Sequence, residues 1–188
     1  MNNALAQLEE LGATLERFRA HLPAVEASGR RLAACLAAGG KILTCGNGGS
    51  ACDALHLSEE LVGRFDRNRR SLGAVCLSAD APLLTCIAND FGFDAVFARQ
   101  VEGLGAPGDV LVVFSSSGNS PNLAAALEMA RVRGLATISL LGKSGGKCAG
   151  LADHEIIVPS QTTARVQEVH TFVLHNWLSL IEAELKLV

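Results

Sequence analysis

Short apolar runs alternate with amphipathic stretches along most of the chain. Five such runs lie between positions 41 and 158, and stretches with helical periodicity separate them. Strands that are buried on both faces of a sheet read as continuous apolar runs, and parallel strands need a helical crossover between them. The pattern therefore predicts an α/β domain with a doubly wound, five-stranded parallel sheet and helices on both of its faces. The predicted strands are Lys41–Cys45, Leu72–Leu77, Asp109–Phe114, Ala136–Leu141 and Glu155–Val158.

Two amphipathic segments, Ala4–His21 and Ala24–Ala38, precede the first predicted strand, with Pro23 between them. In the first segment apolar residues recur every three or four positions, which indicates one apolar stripe along a helix. A sheet of this size does not need two preliminary helices for its own core. We therefore predict that residues 1–38 pack against another subunit. The other predicted helices are Ala51–Leu61, Leu83–Ile87, Ala95–Val101, Leu123–Val132 and Arg165–Leu187, of which the last is the longest.

Length and composition favour one domain and argue against several kinds of partner. The 188 residues suit a single domain, 1–188, with a full core. The formal charge of −3, from 16 Lys and Arg against 19 Asp and Glu, gives no electrostatic reason to expect nucleic acid as a partner. Aromatic residues make up 4% of the chain, fewer than a protein that stacks on single-stranded nucleic acid would show. No apolar stretch is long enough to span a bilayer, so no membrane partner is expected.

The six cysteines point to a reducing compartment. They are scattered, form no CxxC pair and mostly stand beside apolar residues. This pattern favours buried free thiols over disulfides or a thiolate zinc site. The acidic residues near the N-terminus do not fit a signal peptide. We therefore expect a cytoplasmic protein.

A glycine-rich turn follows the first predicted strand and leads into a helix. Gly46–Ser50, with the sequence GNGGS, can approach a ligand closely, and the first amides of the following helix point at any anion placed there. The turn lacks the GxGxxG spacing, and no GxxxxGK[ST] occurs in the chain. Neither a dinucleotide nor a nucleoside triphosphate is therefore indicated. We predict an anion cradle for a small phosphorylated molecule.

The helix behind this turn carries a histidine and a glutamate one turn apart. His56 and Glu60 share a face, because residues four positions apart on a helix are neighbours. In an arbitrary protein such a pair is an ordinary surface pair. Directly behind a glycine turn a ligand or catalytic role is favoured, since imidazole and carboxylate both suit Zn²⁺ and both transfer protons.

A second polar loop, Phe114–Ser120 with the sequence FSSSGNS, follows the third predicted strand. Its hydroxyls and backbone amides together suit a phosphate group. A helix N-cap alone would explain Ser120, with Pro121 at the first helical position, but not the three earlier serines. Because ligands of doubly wound sheets gather at the carboxyl ends of the strands, both loops belong to one predicted site.

The last predicted helix offers further candidates. Gln167, Thr171 and His175 advance by four residues and lie along one side of it, whereas His170 lies well around the helix. A histidine among Val, Leu and Phe is more often a core residue than a ligand. The presence of Gln167 and His175 on one side raises the odds of a function only modestly.

Two polar segments are predicted to be solvated turns. Asn89 and Asp90 interrupt an apolar stretch, as a turn or cap does, and contact with sugar hydroxyls is the functional alternative. The one cationic run, RFDRNRR at 64–70, also reads as a solvated turn. One of its arginines could instead reach a substrate phosphate.

Together these motifs resemble the phosphoheptose isomerases, which are sugar isomerase (SIS) domains with a flavodoxin-like sheet, over almost the whole chain. The loops at 46–50 and 115–120 alone would indicate only a SIS domain. The pairs His56–Glu60 and Gln167–His175 narrow the resemblance to the isomerase, because non-catalytic relatives are expected to lack that set. Further matching segments are CDALHLSEELVGRF at 52–65, ANDFGF at 88–93, GKSGGKCAG at 142–150 and RVQEVH at 165–170.

The resemblance implies conversion of sedoheptulose 7-phosphate to D-glycero-D-manno-heptose 7-phosphate, the first step toward activated heptoses for bacterial surface polysaccharides such as lipopolysaccharide. It also implies a homotetramer, catalysis by Glu60 and His175, and a site for Zn²⁺. The implied zinc ligands are His56, Glu60, Gln167 and His175. The residues that the resemblance implies to bind substrate are Asn47, Gly48, Gly49, Asn89, Asp90, Ser115, Ser116, Ser117, Ser120 and Gln167. We add Ser50, from the glycine turn, and Arg64, from the cationic run, to the predicted substrate ligands.

The implied chemistry moves a proton between C1 and C2 through a cis-enediolate, which needs a base near the carbon and an acid near the carbonyl oxygen. Glu60 is the expected base and His175 its partner, with zinc polarising the oxygens. A carboxylate bound tightly to zinc loses basicity, so Glu60 is expected to bind loosely or to exchange.

Two other functions stay open from the sequence. One is a non-catalytic SIS module that binds a replication initiator protein, against which His56, Glu60 and His175 argue. The other is an isomerase of a different phosphosugar. The chain also departs from the family at two positions, with Ala51 where many members have His and Ala164 where members often have Asp. The second departure is expected to remove a contact to the sugar and so to affect substrate preference.

Overall fold

The computed structural model describes residues 3–187; Met1, Asn2 and Val188, at the ends of the predicted domain, lie outside the described residues. The strands are β1 (Ile42–Gly46), β2 (Ala74–Cys76), β3 (Val110–Ser115), β4 (Ala136–Gly142) and β5 (His154–Val158). They form one parallel sheet in the order β2-β1-β3-β4-β5. This is a doubly wound order, because the chain extends the sheet from β1 in one direction and from β3 onward in the other. The predicted fold class is confirmed.

The helices are α1 (Ala4–Phe18), α2 (Leu22–Ala37), α3 (Gly49–Val62), α4 (Ala81–Phe91), α5 (Ala98–Leu104), α6 (Pro121–Val132) and α7 (Thr163–Glu184). Pro23 does not separate two helices; it lies in the first turn of α2, where a missing N–H costs nothing. A short 3₁₀ turn, Arg19–His21, joins α1 to α2. Within residues 3–187, no helix combines the length and the apolar character needed to cross a membrane.

Asn89 and Asp90 belong to the last turn of α4, so the prediction of a turn at this position is wrong. The side chain of Asp80 accepts the N–H of Leu83 at 2.9 Å and starts the helix. The helix ends only at Gly92, whose φ of 87° is a conformation that glycine favours. The two polar residues are the exposed side of this helix and not a break in it.

Helices α2, α3 and α7 cover one face of the sheet, and α4, α5 and α6 cover the other. On the first face the buried Trp177 of α7 donates its ring N–H to the carbonyl of Val25, at 3.0 Å, in α2. Gly29 allows this close packing, because a Cβ there would lie 2.9 Å from the Trp177 ring. Since α7 also packs on α3, the helix behind the glycine turn and the last helix lie side by side.

The apolar stripe of α1 is largely uncovered. Leu5 and Leu8 are 61% and 66% exposed, and among the apolar residues of α1 only Phe18 is buried. The stripe borders a cavity of about 420 Å³ that Phe172 of α7 also lines. The use of residues 1–38 in subunit packing stays a prediction, and an uncovered apolar stripe is the surface that such packing requires.

One arginine of the cationic run is buried, so the prediction of a solvated turn is wrong at that position. Arg69 Nε donates to Glu182 Oε1 at 2.8 Å, and both side chains are 2% exposed. Its other nitrogens donate to the carbonyls of Glu60 and Leu61, which lie at the end of α3 where carbonyls lack helical partners. Arg69 therefore caps α3 and fastens it to α7.

Candidate active site

Two loops meet at the carboxyl edge of the sheet, where the strand order reverses. β1 and β3 are neighbours, with Gly46 opposite Phe114, so the loops after them begin side by side. Sheets of this kind bind their ligands in the crevice at such a point. A cavity of about 160 Å³ lies there, lined by Asn47, Ser50, Phe114, Ser115, Ser116, Ser117, Ser120 and Leu123.

The glycine turn is packed tightly between neighbouring elements. Gly48 precedes α3 with a φ of 56°, a conformation that residues with side chains rarely adopt. A Cβ at Gly46 would overlap the backbone of Ser50, and a Cβ at Gly49 would overlap the side-chain amide of Gln167. The turn therefore needs glycine both for its shape and for the close approach of α7.

A reciprocal pair of amides fastens the two loops together. Asn47 Nδ2 donates to Asn122 Oδ1 at 2.9 Å, and Asn122 Nδ2 donates back to Asn47 Oδ1 at 3.1 Å. Asn122, in the first turn of α6, is 1% exposed. Sequence reasoning missed it. The available signal was an asparagine directly after the Ser120–Pro121 helix start, since a buried amide needs a partner.

The serine hydroxyls are only partly used by the protein itself. Ser115 Oγ accepts the N–H of Gly118 at 3.0 Å, and Ser117 Oγ accepts the N–H of Asn119 at 3.2 Å. Both hydroxyls keep a hydrogen to donate. Ser120 occupies the N-cap position of α6, so the predicted N-cap position is confirmed. Its side chain makes no capping bond, so capping does not account for this hydroxyl.

The segment 142–150 supports the serine loop from behind. A Cβ at Gly118 would overlap the carbonyl of Gly145, and the N–H of Cys148 donates to the carbonyl of Gly118 at 2.9 Å. Such close contact between two backbones is possible only with glycine at the crossing. The serine loop is thus held in place on both sides.

Helices α3 and α7 run in the same direction and meet at three successive levels. The levels are Gly49 with Gln167, Asp53 with Thr171, and His56 with His175. At the last level the two imidazole rings meet edge to face, with 5.0 Å between centroids. The ring of Phe65 stacks on His175 at 5.7 Å. Two helices that are far apart in sequence therefore bring the predicted histidines together.

His56 belongs to a group that can hold a cation. The ligand atoms of His56, Glu59 and Glu60 all lie within 4.8 Å of one another, and His56 Nε2 is 3.6 Å from Glu60 Oε1. One imidazole and two carboxylates are ligands that Zn²⁺ accepts, so the residues present fit the predicted ion. Sequence reasoning missed Glu59 because it considered only the spacing of four; the spacing of three also places a residue beside His56.

Gln167 and His175 do not converge within one chain. Both lie inside α7, so the alternative that the chain around Gln167 is not yet helical is wrong. Eight residues span about 12 Å along a regular helix, whereas zinc–ligand bonds are about 2 Å long. A single chain therefore gathers His56, Glu60 and His175 and leaves Gln167 beside the glycine turn.

The remaining predicted substrate ligands do not line the cavity of their own chain. Arg64 is exposed and donates to the carbonyl of Asp66. The 14 residues of α3, about 21 Å in length, separate Arg64 from the serine cavity. Asn89 Nδ2 donates to Asp90 Oδ1 at 2.8 Å at the exposed end of α4, which covers the opposite face of the sheet. Ala164 is exposed in the first turn of α7.

His170 is a core residue, as its apolar neighbours indicated. It is fully buried, its ring lies edge to face with Phe114, and its Nε2 is 3.4 Å from the carbonyl oxygen of Leu141. Burial lowers the pKa of this imidazole to about 4, so the ring is neutral at physiological pH. It supports the end of β3 and does not contact the cation group.

Burial also changes the acidity of Asp53. The residue is 7% exposed, and burial raises its pKa to about 6, while the bond from Thr171 and the charge of His56 act in the opposite direction. A raised carboxyl pKa means that the folded protein binds a proton more readily than the unfolded chain between about pH 4 and pH 6. The free energy of unfolding therefore falls as pH rises through this window.

The Asp53→Asn variant tests this expectation. An amide does not ionise, so the variant should not lose stability as pH rises. The difference in free energy of unfolding, variant minus wild type, should therefore be about 2–3 kcal/mol larger at pH 7.5 than at pH 4, since two pKa units correspond to about 3 kcal/mol. Urea titrations of metal-free wild-type and variant proteins at both pH values measure the difference. An equal effect of the substitution at the two pH values would contradict the raised pKa.

Comparison with known proteins shows extensive similarity. The sequence profile of the SIS domain family matches residues 8–142. A phosphoheptose isomerase of Vibrio cholerae serotype O1 is 47% identical over 184 residues, covering 96% of each chain. Two solved phosphoheptose isomerases, from Neisseria gonorrhoeae and Francisella tularensis, have TM-scores of 0.89 and 0.90 at 39% and 33% identity. These matches cover 95% and 97% of this chain and 96% and 100% of theirs.

Proposed function

We propose that this chain, which belongs to the SIS domain family and within it to the phosphoheptose isomerases, converts sedoheptulose 7-phosphate to D-glycero-D-manno-heptose 7-phosphate. The observation that carries the proposal is the pairing of a serine-lined cavity with a histidine–carboxylate group on α3 and α7. The first suits a phosphate and the second suits proton transfer. A purely binding module would have no use for the second.

In the proposed reaction the chain supplies the proton transfers of an aldose–ketose isomerisation. Glu60 removes a proton from C1 of the ketose and returns it to C2. His175 moves a proton between the oxygens on the two carbons, so the carbonyl passes from C2 to C1 and no atom is lost. Both groups lie next to His56, so a second imidazole is available to the proposed proton transfers.

Zn²⁺ is the proposed cofactor, with His56, Glu60 and His175 from α3 and α7 as ligands together with a Gln167. Bound there, zinc supplies a Lewis acid for the carbonyl and hydroxyl oxygens of the sugar. Glu59 belongs to the same group and would offer the ion a second carboxylate ligand. The donor set of imidazole nitrogens and carboxylate oxygens supports this choice of metal.

A panel of ketose phosphates with five to seven carbons tests the proposed function. Purified protein should convert sedoheptulose 7-phosphate, lose activity on chelation and regain it with Zn²⁺ but not with Mg²⁺. Conversion of a shorter sugar in preference to the heptose would assign another phosphosugar as the substrate. The absence of any isomerisation in the panel would overturn the proposal.

The serine loop is expected to bind the phosphate group. Ser117→Ala together with Ser120→Ala removes two hydroxyls that the fold does not need as donors, so KM should rise at least about tenfold, as loss of hydrogen bonds to a charged group predicts, while the fold survives. Steady-state kinetics and circular dichroism measure the two effects. A folded double variant with unchanged KM would show that the serine loop does not bind the phosphate group.

The proposed assembly is a homotetramer with sites shared between chains. Gln167 lies about 12 Å from His175 along α7, and Ser50 lies about 15 Å from Glu60 along α3. Separations of this size support completion of each site by residues of a second chain. The uncovered stripe of α1 offers an apolar surface for such contacts.

Mixed oligomers test the shared site. Assayed at a substrate concentration well below the raised KM, Glu60→Gln chains and Ser117→Ala/Ser120→Ala chains should each have little activity, whereas hybrids formed by unfolding and refolding the mixture should regain a measurable fraction of wild-type activity. Each variant refolded alone is the control. A fully active monomer at assay concentration, identified by light scattering, would contradict the proposal.

The proposed setting is the cytoplasm of a bacterium. All six cysteines are free thiols, three of them buried, which suits a reducing compartment. The product is proposed to supply activated heptoses for surface polysaccharide such as lipopolysaccharide.

A further inference from the structure

Asp53 lies between the two levels of α3 and α7 that carry the proposed ligands. The glycine turn, with Gln167 beside it, lies one helical turn before Asp53 on α3. His56, with His175 beside it, lies one helical turn after Asp53. Asp53 itself is joined to Thr171, whose Oγ1 donates to Asp53 Oδ1 at 3.3 Å. This is a side-chain hydrogen bond between the two helices, placed midway between the groups that both helices must align.

The second oxygen of this carboxylate has no partner. Asp53 is more than nine-tenths buried, and its Oδ2 makes no hydrogen bond within the described residues. A buried acceptor without a donor is costly, so its retention calls for a donor in another state of the site. His56 stands three residues further along the same helix and therefore shares a face with Asp53.

Histidines that bind metals usually donate their other ring N–H to a carboxylate or carbonyl, which fixes the tautomer and the orientation of the ring. We propose that Asp53 is a positioning residue for the cation site: Oδ1 and Thr171 set α3 against α7, and Oδ2 accepts the ring N–H of His56 when the other ring nitrogen holds a cation. The inference rests on the proposed function, since it concerns the same site.

The affinity for Zn²⁺ tests this role. Asp53→Asn keeps the shape of the side chain but replaces one carboxylate oxygen by an NH₂ group. An NH₂ group cannot accept the ring N–H of His56. Loss of such a partner typically lowers metal affinity 10–100-fold, and we expect an effect of about this size, measured by competition with a chromogenic chelator. Thr171→Val removes the hydroxyl that links α7 to Asp53, so it should also lower the affinity for Zn²⁺. Thr171→Ser keeps the hydroxyl and should bind Zn²⁺ as the wild type does.

Asp109→Asn is the matched control. Asp109 is also a buried carboxylate, but it pairs with Lys41 at 2.5 Å at the opposite edge of the sheet. Its substitution should lower the melting temperature and leave the affinity for Zn²⁺ unchanged. If Asp53→Asn binds zinc as tightly as the wild type does, the role of Asp53 is overturned while the proposed function stands.

Ring ¹⁵N chemical shifts of His56 in zinc-saturated protein supply a second measurement. In the wild type the ring nitrogen that does not hold the ion should show the shift of a hydrogen-bonded N–H, and Asp53→Asn should change that shift while those of His154, on β5, stay the same. Unchanged His56 shifts in zinc-saturated Asp53→Asn would overturn the inference. If the wild type binds no zinc, the proposed cofactor fails and the inference fails with it.

Discussion

Glu60→Gln should reduce kcat by about 10²–10⁴-fold, the usual contribution of a general base. The amide keeps the shape of the side chain but cannot accept a proton from C1. Because Glu60 is a partly exposed neighbour of His56 and not part of the packed core, the fold should be preserved. Stopped assays with sedoheptulose 7-phosphate at saturating zinc measure kcat directly, and His175→Gln is expected to behave similarly.

Glu102→Gln is the control for this effect. Glu102 is an exposed glutamate on α5, which covers the opposite face of the sheet, so its loss should leave kcat unchanged. If turnover of Glu60→Gln stayed within about threefold of the wild type, far less than general base catalysis contributes, Glu60 would not be the base.

Arg69→Met should destabilise the protein by about 3–5 kcal/mol, because removal of one partner leaves Glu182 as an uncompensated buried charge. The same change deprives the last carbonyls of α3 of their donors. Urea denaturation at a fixed protein concentration measures the loss. Arg67→Met, in the same run but with a side chain that is 70% exposed, should change stability by less than about 0.5 kcal/mol.

The double change Arg69→Met/Glu182→Leu separates charge from packing. It removes both buried charges, and well-packed apolar pairs often replace buried ion pairs at little cost. The double variant should therefore be clearly more stable than Arg69→Met alone. If the single and double variants are equally stable, the loss of stability comes from the uncapped carbonyls at the end of α3 and not from the unpaired carboxylate of Glu182.

The layout of the fold was accessible from the sequence because strands buried on both faces leave continuous apolar runs. The failure at Arg69 depended on a distant partner. Arg69 looked like one more surface cation, and its partner Glu182 lies 113 residues away. Asn89 and Asp90 were predicted to form a turn, because two polar residues in an apolar stretch give the same sequence pattern in a turn and on the exposed side of a helix. Local patterns do not distinguish these cases.

The site was predicted in parts and not as a whole. The glycine and serine loops follow strands, and strand order brings them together, so their proximity followed from topology. The partners of Asp53 and Asn47 did not, because Thr171 and Asn122 are 118 and 75 residues away in sequence. Glu59 is different: it was within reach of a helical spacing argument and was overlooked.

The alignment of α3 with α7 also fixes when the site can form. During synthesis α3 emerges early and α7 emerges after every strand, so the groups on α3 face no histidine partner until the last helix has docked. Docking also buries Trp177 against α2, so closure of the core and the meeting of the two histidines are one event. Nascent chains that stop before α7 should leave one apolar face of the sheet uncovered, and chaperones bind exposed surface of this kind.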